Sequence, residues 1–161
     1  MGESVRASMV GRQYLDRTYS SSDIHVCIVE DNDVTRYLIE KHLYEFEKST
    51  PFNATGKKFC VHTFETGEQL LSDFPEKVDV ILLDYYLNGQ NFEAQNGLEI
   101  KRKIDQENPD MKIIFLSGDG DTKLVLKLIR EGINHFIFKG EAFKEDLKLA
   151  LADELEDFLD T

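Results

Sequence analysis

The sequence predicts an α/β fold, a doubly wound sheet of five parallel strands with helices on both faces, and three observations carry that prediction. Short, nearly continuous apolar runs recur at 24–29, 59–64, 78–83, 112–116 and 135–138, as expected of strands covered on both faces. Segments with helical apolar spacing lie between them, the βα alternation of a parallel sheet whose right-handed crossovers send helices to either side. Four of the five runs lead directly into polar side chains: Glu30 and Asp31, Asp84, Ser117, and Lys139. In an open parallel sheet the C-terminal strand ends converge on one crevice, so these side chains are expected to share it.

Residues 1–22 show no sustained apolar period and end in Ser20-Ser21-Ser22, which predicts a flexible N-terminal tail ahead of one domain over 23–161. The first helix is expected to start near Asn32 or Asp33 and to turn Leu38, Ile39, His42 and Phe46 inward. The second opens on Thr66-Gly67-Glu68-Gln69, which has the form of a capping box, with Leu70, Leu71 and Phe74 as its apolar residues. A third begins at Asn96 or Gly97, uses Leu98 and Ile104, and stops before Asn108-Pro109. The fourth runs from about Asp121 to Arg130 and ends at Gly132. The last buries Phe143, Leu147, Ala150, Leu151 and Phe158. Two connections are long: 48–58, with Pro51 and Gly56, and the polar stretch 88–96 just past Asp84.

A chain of 161 residues suits one domain with a substantial core. Its net charge of −12 argues against nucleic acid or an anionic membrane as partner, because the phosphate interaction would be repulsive. The two cysteines, Cys27 and Cys60, fall inside apolar runs, where a free thiol behaves as a small buried hydrophobe, and a reducing compartment follows. No run is long enough to span a membrane and no secretory signal is visible, so a cytoplasmic location is expected. Arg6 stands where a myristoylation motif needs Ser or Thr.

Carboxylates crowded at one place repel one another, and such a group either shares protons or binds a cation. Mg²⁺ is the expected cation, since it takes hard oxygen ligands and completes its shell with waters and a substrate phosphate. Lys139 adds a compact positive charge for a phosphoryl oxygen and Ser117 a hydroxyl. Asp84, with two cations and a hydroxyl around it, is then placed to be the nucleophile that forms an acyl phosphate. A Glu-Asp pair after a strand is ordinarily a helix cap, and a lone lysine there is ordinarily solvated. Their joint order along a βα pattern is much harder to reach by accident.

The segments Val29-Glu30-Asp31-Asn32, Ile81-Leu82-Leu83-Asp84, Phe115-Leu116-Ser117-Gly118 and Phe136-Ile137-Phe138-Lys139 resemble the signature segments of the receiver domain of two-component response regulators. The resemblance runs from Asp23 to about Phe158. It implies a flavodoxin-like sheet of order 2-1-3-4-5, with Asp84 as the phosphorylated aspartate, Asp31 as direct Mg²⁺ ligand and Glu30 as the acidic residue holding the metal through water. The backbone carbonyl of Tyr86 is implied as the third protein ligand, Ser117 as the switch hydroxyl, Lys139 as the phosphate-binding lysine and Phe136 as the aromatic switch residue. Tyr86 and Asp119 match the positions that control water approach and so tune hydrolysis. The sequence departs from the family pattern in having Asn88 and Gly140 where prolines are common, and in the extra length of the 88–96 loop.

The function implied is a stand-alone, chemotaxis-type receiver in a two-component system or phosphorelay. It would take a phosphoryl group from a sensor histidine kinase or a histidine phosphotransfer protein and signal to a downstream protein effector, without being an enzyme on an independent substrate. Three other readings fit less well. An aspartyl-phosphate phosphohydrolase needs a second aspartate where Tyr86 stands. A flavin-binding protein needs a Ser/Thr/Gly-rich loop where Glu30-Asp31-Asn32 stands. A phosphorylation-independent interaction module has no reason to keep every active-site residue. His42 is expected to be a packed or half-buried histidine, and His25, His62 and His135 show no ligand-like spacing and are assigned no metal.

Overall fold

A computed structural model describes residues 17–87, 96–118 and 122–159 and contains a five-stranded parallel sheet in the order β2-β1-β3-β4-β5. Its strands are β1 (Ile24–Val29), β2 (Phe59–Phe64), β3 (Val80–Asp84), β4 (Lys112–Ser117) and β5 (Phe136–Phe138). The helices are α1 (Asp33–Glu47), α2 (Gly67–Ser72), α3 (Gly97–Glu107), α4 (Thr122–Arg130), α5 (Phe143–Glu154) and a last short turn, α6 (Glu156–Leu159). The expected fold and strand order are therefore observed. Asp119, Asp121 and most of the long loop after Asp84, with Asn88 and Gly89, lie outside the described residues, as do residues 1–16 of the expected tail.

The apolar runs are continuous because successive side chains go to opposite faces and both faces are covered. Ile24, Val26 and Ile28 of β1 join Val80, Leu82, Ile114 and Leu116 in one core beneath α1 and α5. Cys27 and Val29 join Ile81, Leu83, Ile113 and Phe115 in the other, beneath α2, α3 and α4. The connection between α1 and β2 is anchored by Phe52, in a single 3₁₀ turn, whose ring is fully buried against Phe59 (4.6 Å between centroids) and Phe46 (5.4 Å). Burial of one such ring stabilises by about 1.5–3 kcal/mol.

Helix starts follow local chemistry. Asn32 caps α1 by accepting from Thr35 N (2.9 Å), and Thr66 caps α2 by accepting from Gln69 N (3.1 Å). Asn96 and Glu99 form a reciprocal capping box at α3, with bonds of 3.0 and 2.8 Å. At the end of α4, Gly132 adopts φ 76°, a left-handed conformation that a side chain rarely takes.

Three expectations about helix faces need correction. Leu38 is 42% exposed, because the stripe that meets the sheet is Ile39, Leu43 and Phe46, and Leu38 stands one residue, about 100° of helix, to the side. Phe74 lies beyond the C-cap Asp73 of α2 and is exposed. Phe158 packs inward, but from α6 rather than from α5. His42 is half-buried as expected, with its ring 6.0 Å from that of Phe143. Residues 17–22, the last part of the expected tail, lie against the domain. Arg17 pairs with Glu47 at 2.5 Å and stands over the Tyr44 ring, and Lys77 Nζ donates to the carbonyl of Ser21 at 2.9 Å.

Candidate functional site

The parallel topology brings the ends of β1, β3, β4 and β5 to one edge. Glu30 follows β1 and Asp84 closes β3, and both side chains are almost fully buried. Asp31, one residue on, is exposed. Ligand oxygens of Glu30, Asp31 and Asp84 all lie within 4.8 Å of one another. Lys139, just past β5, reaches into this group: its Nζ is 3.1 Å from Asp84 Oδ2 and also donates to Glu30 Oε2. Ser117, buried at the end of β4, is held beside Lys139 by the bond from Lys139 N to the Ser117 carbonyl (2.8 Å).

Backbone donors complete the surroundings of the carboxylates. Tyr86 N donates to Asp84 Oδ1 (3.2 Å) and Asn32 N to Glu30 Oε1 (3.1 Å). Tyr85 is held from both sides, its N–H donating to the Leu116 carbonyl (2.9 Å) and its carbonyl accepting from Gly97 N (2.8 Å).

The electrostatics reflect crowding. Burial, and then the charge of Asp84, push the Glu30 carboxyl up to about 7, against the pull of Lys139. Burial works to lower the Lys139 ammonium, but Asp84 and Glu30 outweigh it and hold its pKa above the ordinary lysine value. Lys139 therefore stays charged, while the like charges around it remain only partly compensated. A donor set of hard oxygens with unrelieved repulsion fits a small divalent cation.

Glu30, Asp31, Asp84 and Lys139 are thus brought together as expected, with Ser117 on the adjoining strand end. Tyr86 stands at the rim with its ring 43% exposed and edge-on to Tyr85 at 4.9 Å. Phe136 is half-buried on β5 opposite Phe115, its ring 5.9 Å from that of Phe138. Among the described residues the one cis peptide is Thr50-Pro51, so the bond between Lys139 and Gly140 is trans.

Several supporting residues carry little or no signal in the sequence. Arg36 Nη1 donates to the Glu30 carbonyl (2.6 Å) while Nη2 pairs with Asp33, and only the Asp33/Arg36 spacing hints at this in the sequence. Lys127 Nζ reaches the Tyr85 hydroxyl at 3.4 Å. Gly97 packs so closely that a Cβ there would stand 2.6 Å from the Asp84 carbonyl oxygen, a contact no local pattern announces.

The family model of the response regulator receiver domain matches residues 26–152, which is most of the chain. The chain belongs to the response regulator receiver domain family. The receiver is 30% identical over 136 residues to the probable C4-dicarboxylate response regulator DctR of Halalkalibacterium halodurans, a match covering 84% of this chain and 53% of that protein. It is 28% identical over 123 residues to the response regulator GacA of Pseudomonas aeruginosa, covering 76% and 51%. It spans about half the length of these two relatives. Among solved structures it resembles the response regulator DrrB of Thermotoga maritima (25% identity, TM-score 0.62, 84% of this chain and 54% of that one). The signal receiver domain of an HD domain-containing protein from Pseudomonas fluorescens Pf-5 shares the fold at 22% identity and a TM-score of 0.65, over 86% and 99%.

Proposed function

We propose that this receiver accepts a phosphoryl group on Asp84 from a phosphohistidine donor and passes the signal on through a changed protein-binding surface. The observation that carries this reading is the approach of Lys139 Nζ to the buried Asp84 Oδ2, within a group of three carboxylates. A carboxylate oxygen of Asp84 attacks phosphorus; the new O–P bond forms as the N–P bond of the donor breaks, and the imidazole nitrogen released takes a proton from solvent. Lys139 neutralises one phosphoryl oxygen and Ser117 donates to another, while the Tyr86 N–H holds the Asp84 carboxylate in place. Mg²⁺, held by Glu30, Asp31, Asp84 and the Tyr86 carbonyl, would supply the remaining compensation of charge on the transferring group. Catalysis of a separate reaction is not part of this reading, and Tyr86 occupies the position where a phosphohydrolase of this chemistry needs an acid.

The donor is a sensor histidine kinase or a histidine phosphotransfer protein, and the output is a contact with a protein effector rather than with nucleic acid, which a net charge of −12 disfavours. One curated relative is named as a DNA-binding transcriptional regulator, and the chain spans 23% of it. We place the receiver in the cytoplasm; no helix among the described residues is long and apolar enough to cross a membrane. The domain would begin near Asp23, and the contacts of Arg17 and Ser21 extend its packed part a few residues further back.

Incubation with acetyl phosphate and Mg²⁺, read by intact mass, tests the assignment. One added phosphoryl group is expected, lost in Asp84→Asn and, when Mg²⁺ is chelated, reduced to a trace. Equal labelling of Asp84→Asn would refute it.

A further inference from the structure

A second cluster shares β1 with the carboxylate site but lies near the opposite end of that strand and on its other neighbour, β2. β1 and β2 pair with His25 opposite Cys60 and Cys27 opposite His62, which puts all four side chains on the sheet face that carries Cys27 and Val29. His25 Nδ1 is 3.1 Å from His62 Nε2, and Cys60 Sγ is 3.7 Å from the same nitrogen. The three ligand atoms of His25, Cys60 and His62 lie within 4.8 Å of one another. The sequence shows no ligand-like spacing because the proximity is made across strands: Cys60 and His62 alternate along β2 and His25 comes from its neighbour.

These lengths match a tetrahedral ion site. With Zn–N bonds of about 2.0–2.1 Å and Zn–S bonds of about 2.3 Å, the edges of the tetrahedron are about 3.3 Å between two nitrogens and about 3.6 Å between nitrogen and sulfur. The two separations from His62 Nε2 are within a few tenths of an ångström of those edges and the third is no more than 4.8 Å, so closing the site calls for adjustment of side chains, with the ion taking the place of the His25–His62 hydrogen bond. The donor set is two imidazoles and a thiol, which suits a borderline-soft metal and not Mg²⁺ or Ca²⁺. Cys60 is buried while His25 and His62 are half-buried, leaving water access to a fourth position. The strands themselves are fixed: Asp79 Oδ2 accepts from His25 N at 2.7 Å. Along β1, His25 is about 16 Å from Glu30 at about 3.3 Å per residue, so this cluster is separate from the carboxylate site.

We propose that His25 Nδ1, Cys60 Sγ and His62 Nε2 form a Zn²⁺ site that bridges the edge strand β2 to β1, with water as fourth ligand. The Zn–S bond forms as the Cys60 thiol proton leaves to solvent, and both imidazoles bind as neutral rings with no change of oxidation state. Cys27, fully buried on the same face, is left as a thiol, its pKa pushed far above the usual range by burial and by the neighbouring Cys60.

The test uses the reduced, metal-free full chain without a histidine tag, in excess Mg²⁺ so that the carboxylate site is occupied. Titration with Co²⁺ should give one equivalent of a species with a thiolate-to-cobalt charge-transfer band in the near ultraviolet and the intense visible bands of four-coordinate cobalt, and Zn²⁺ should erase both. Cys60→Ser should abolish the charge-transfer band, and His25→Gln should weaken binding by more than the tenfold or so that loss of an outer partner costs. His25 is half-buried, so that variant decides the matter if Cys60→Ser proves unstable. A titration without the charge-transfer band, or stoichiometric binding that survives in both variants, would overturn the site. Neither outcome bears on phosphorylation at Asp84, which is read separately by mass.

Discussion

Replacing Gly97 by alanine sets two known effects against each other, and the structure decides the sign. Gly97 opens α3, and alanine is the better helix former by about 0.5–1 kcal/mol, which on propensity alone predicts a small gain. An added Cβ, however, would meet the Asp84 carbonyl oxygen at 2.6 Å, the Tyr85 Cα at 3.0 Å and Phe115 Cε1 at 3.1 Å. The nearest of these is backbone in the strand that carries Asp84, so it cannot swing aside as a long side chain would. Overpacking of this kind costs about 1–3 kcal/mol, and a backbone collision places it toward the upper end. The net expectation is a loss of about 2 kcal/mol, or about 4–8 °C in Tm for a domain of this size. Gly140→Ala is the control, because nothing lies within 4 Å of its Cβ position and its φ is not positive, so it should be neutral or gain up to about 1 kcal/mol. Urea unfolding of the three proteins with a common slope measures the differences. Gly97→Ala at or above wild-type stability, or a Gly140→Ala that falls equally far, would refute the argument.

Asp23→Ala should cost about 1–3 kcal/mol at neutral pH, since Asp23 accepts from Ser20 N (2.6 Å) and Lys58 N (2.8 Å) and both amides would lose their partner. Burial works to raise the Asp23 carboxyl, but those bonds outweigh it and hold it below the ordinary 3.8. Its contribution is therefore fully present above that value and lost as pH falls through the lower folded-state value; the gap between wild type and variant should narrow in acid, and a gap independent of pH would contradict this. If the exposed ring two residues past Asp84 shields the approach of water, Tyr86→Ala should shorten the life of the acyl phosphate; decay followed by intact mass that is no faster in the variant would exclude shielding. Ser117→Ala should retain some phosphorylation at Asp84 but lose much of the response of α4, β5 and α5; on α4, Leu126 and Ile129 stand 49% and 56% exposed. A coupling of about 1–3 kcal/mol would change partner affinity roughly 5–150-fold. Amide shifts induced by beryllofluoride that spread over 122–138 equally in this variant would rule out a switch through Ser117.

The strand ends could be read in advance because topology alone brings them together. Once β1, β3, β4 and β5 run parallel, whatever follows each apolar run lies on the same edge, and Glu30, Asp84, Ser117 and Lys139 need no further detail to become neighbours. Helix faces are less legible. Counting apolar residues in α1 does not fix the phase of the stripe: the count admits Leu38, while Ile39, Leu43 and Phe46 make the contact. Phe74 continues the apolar pattern past Ser72, where α2 ends. Least legible are contacts that depend on register. Gly97 meets the Asp84 carbonyl only because α3 returns to the end of β3 at one particular height. His25 meets Cys60 only because β1 and β2 pair Ile24 with Phe59; a shift of one residue would turn Cys60 and His62 to the opposite face. That difference explains why two clusters that share β1 differ so much in visibility. Glu30 and Asp31 are adjacent in the chain and carry their own charge signal, whereas His25 and Cys60 lie 35 positions apart and become a unit only when the sheet sets their alignment.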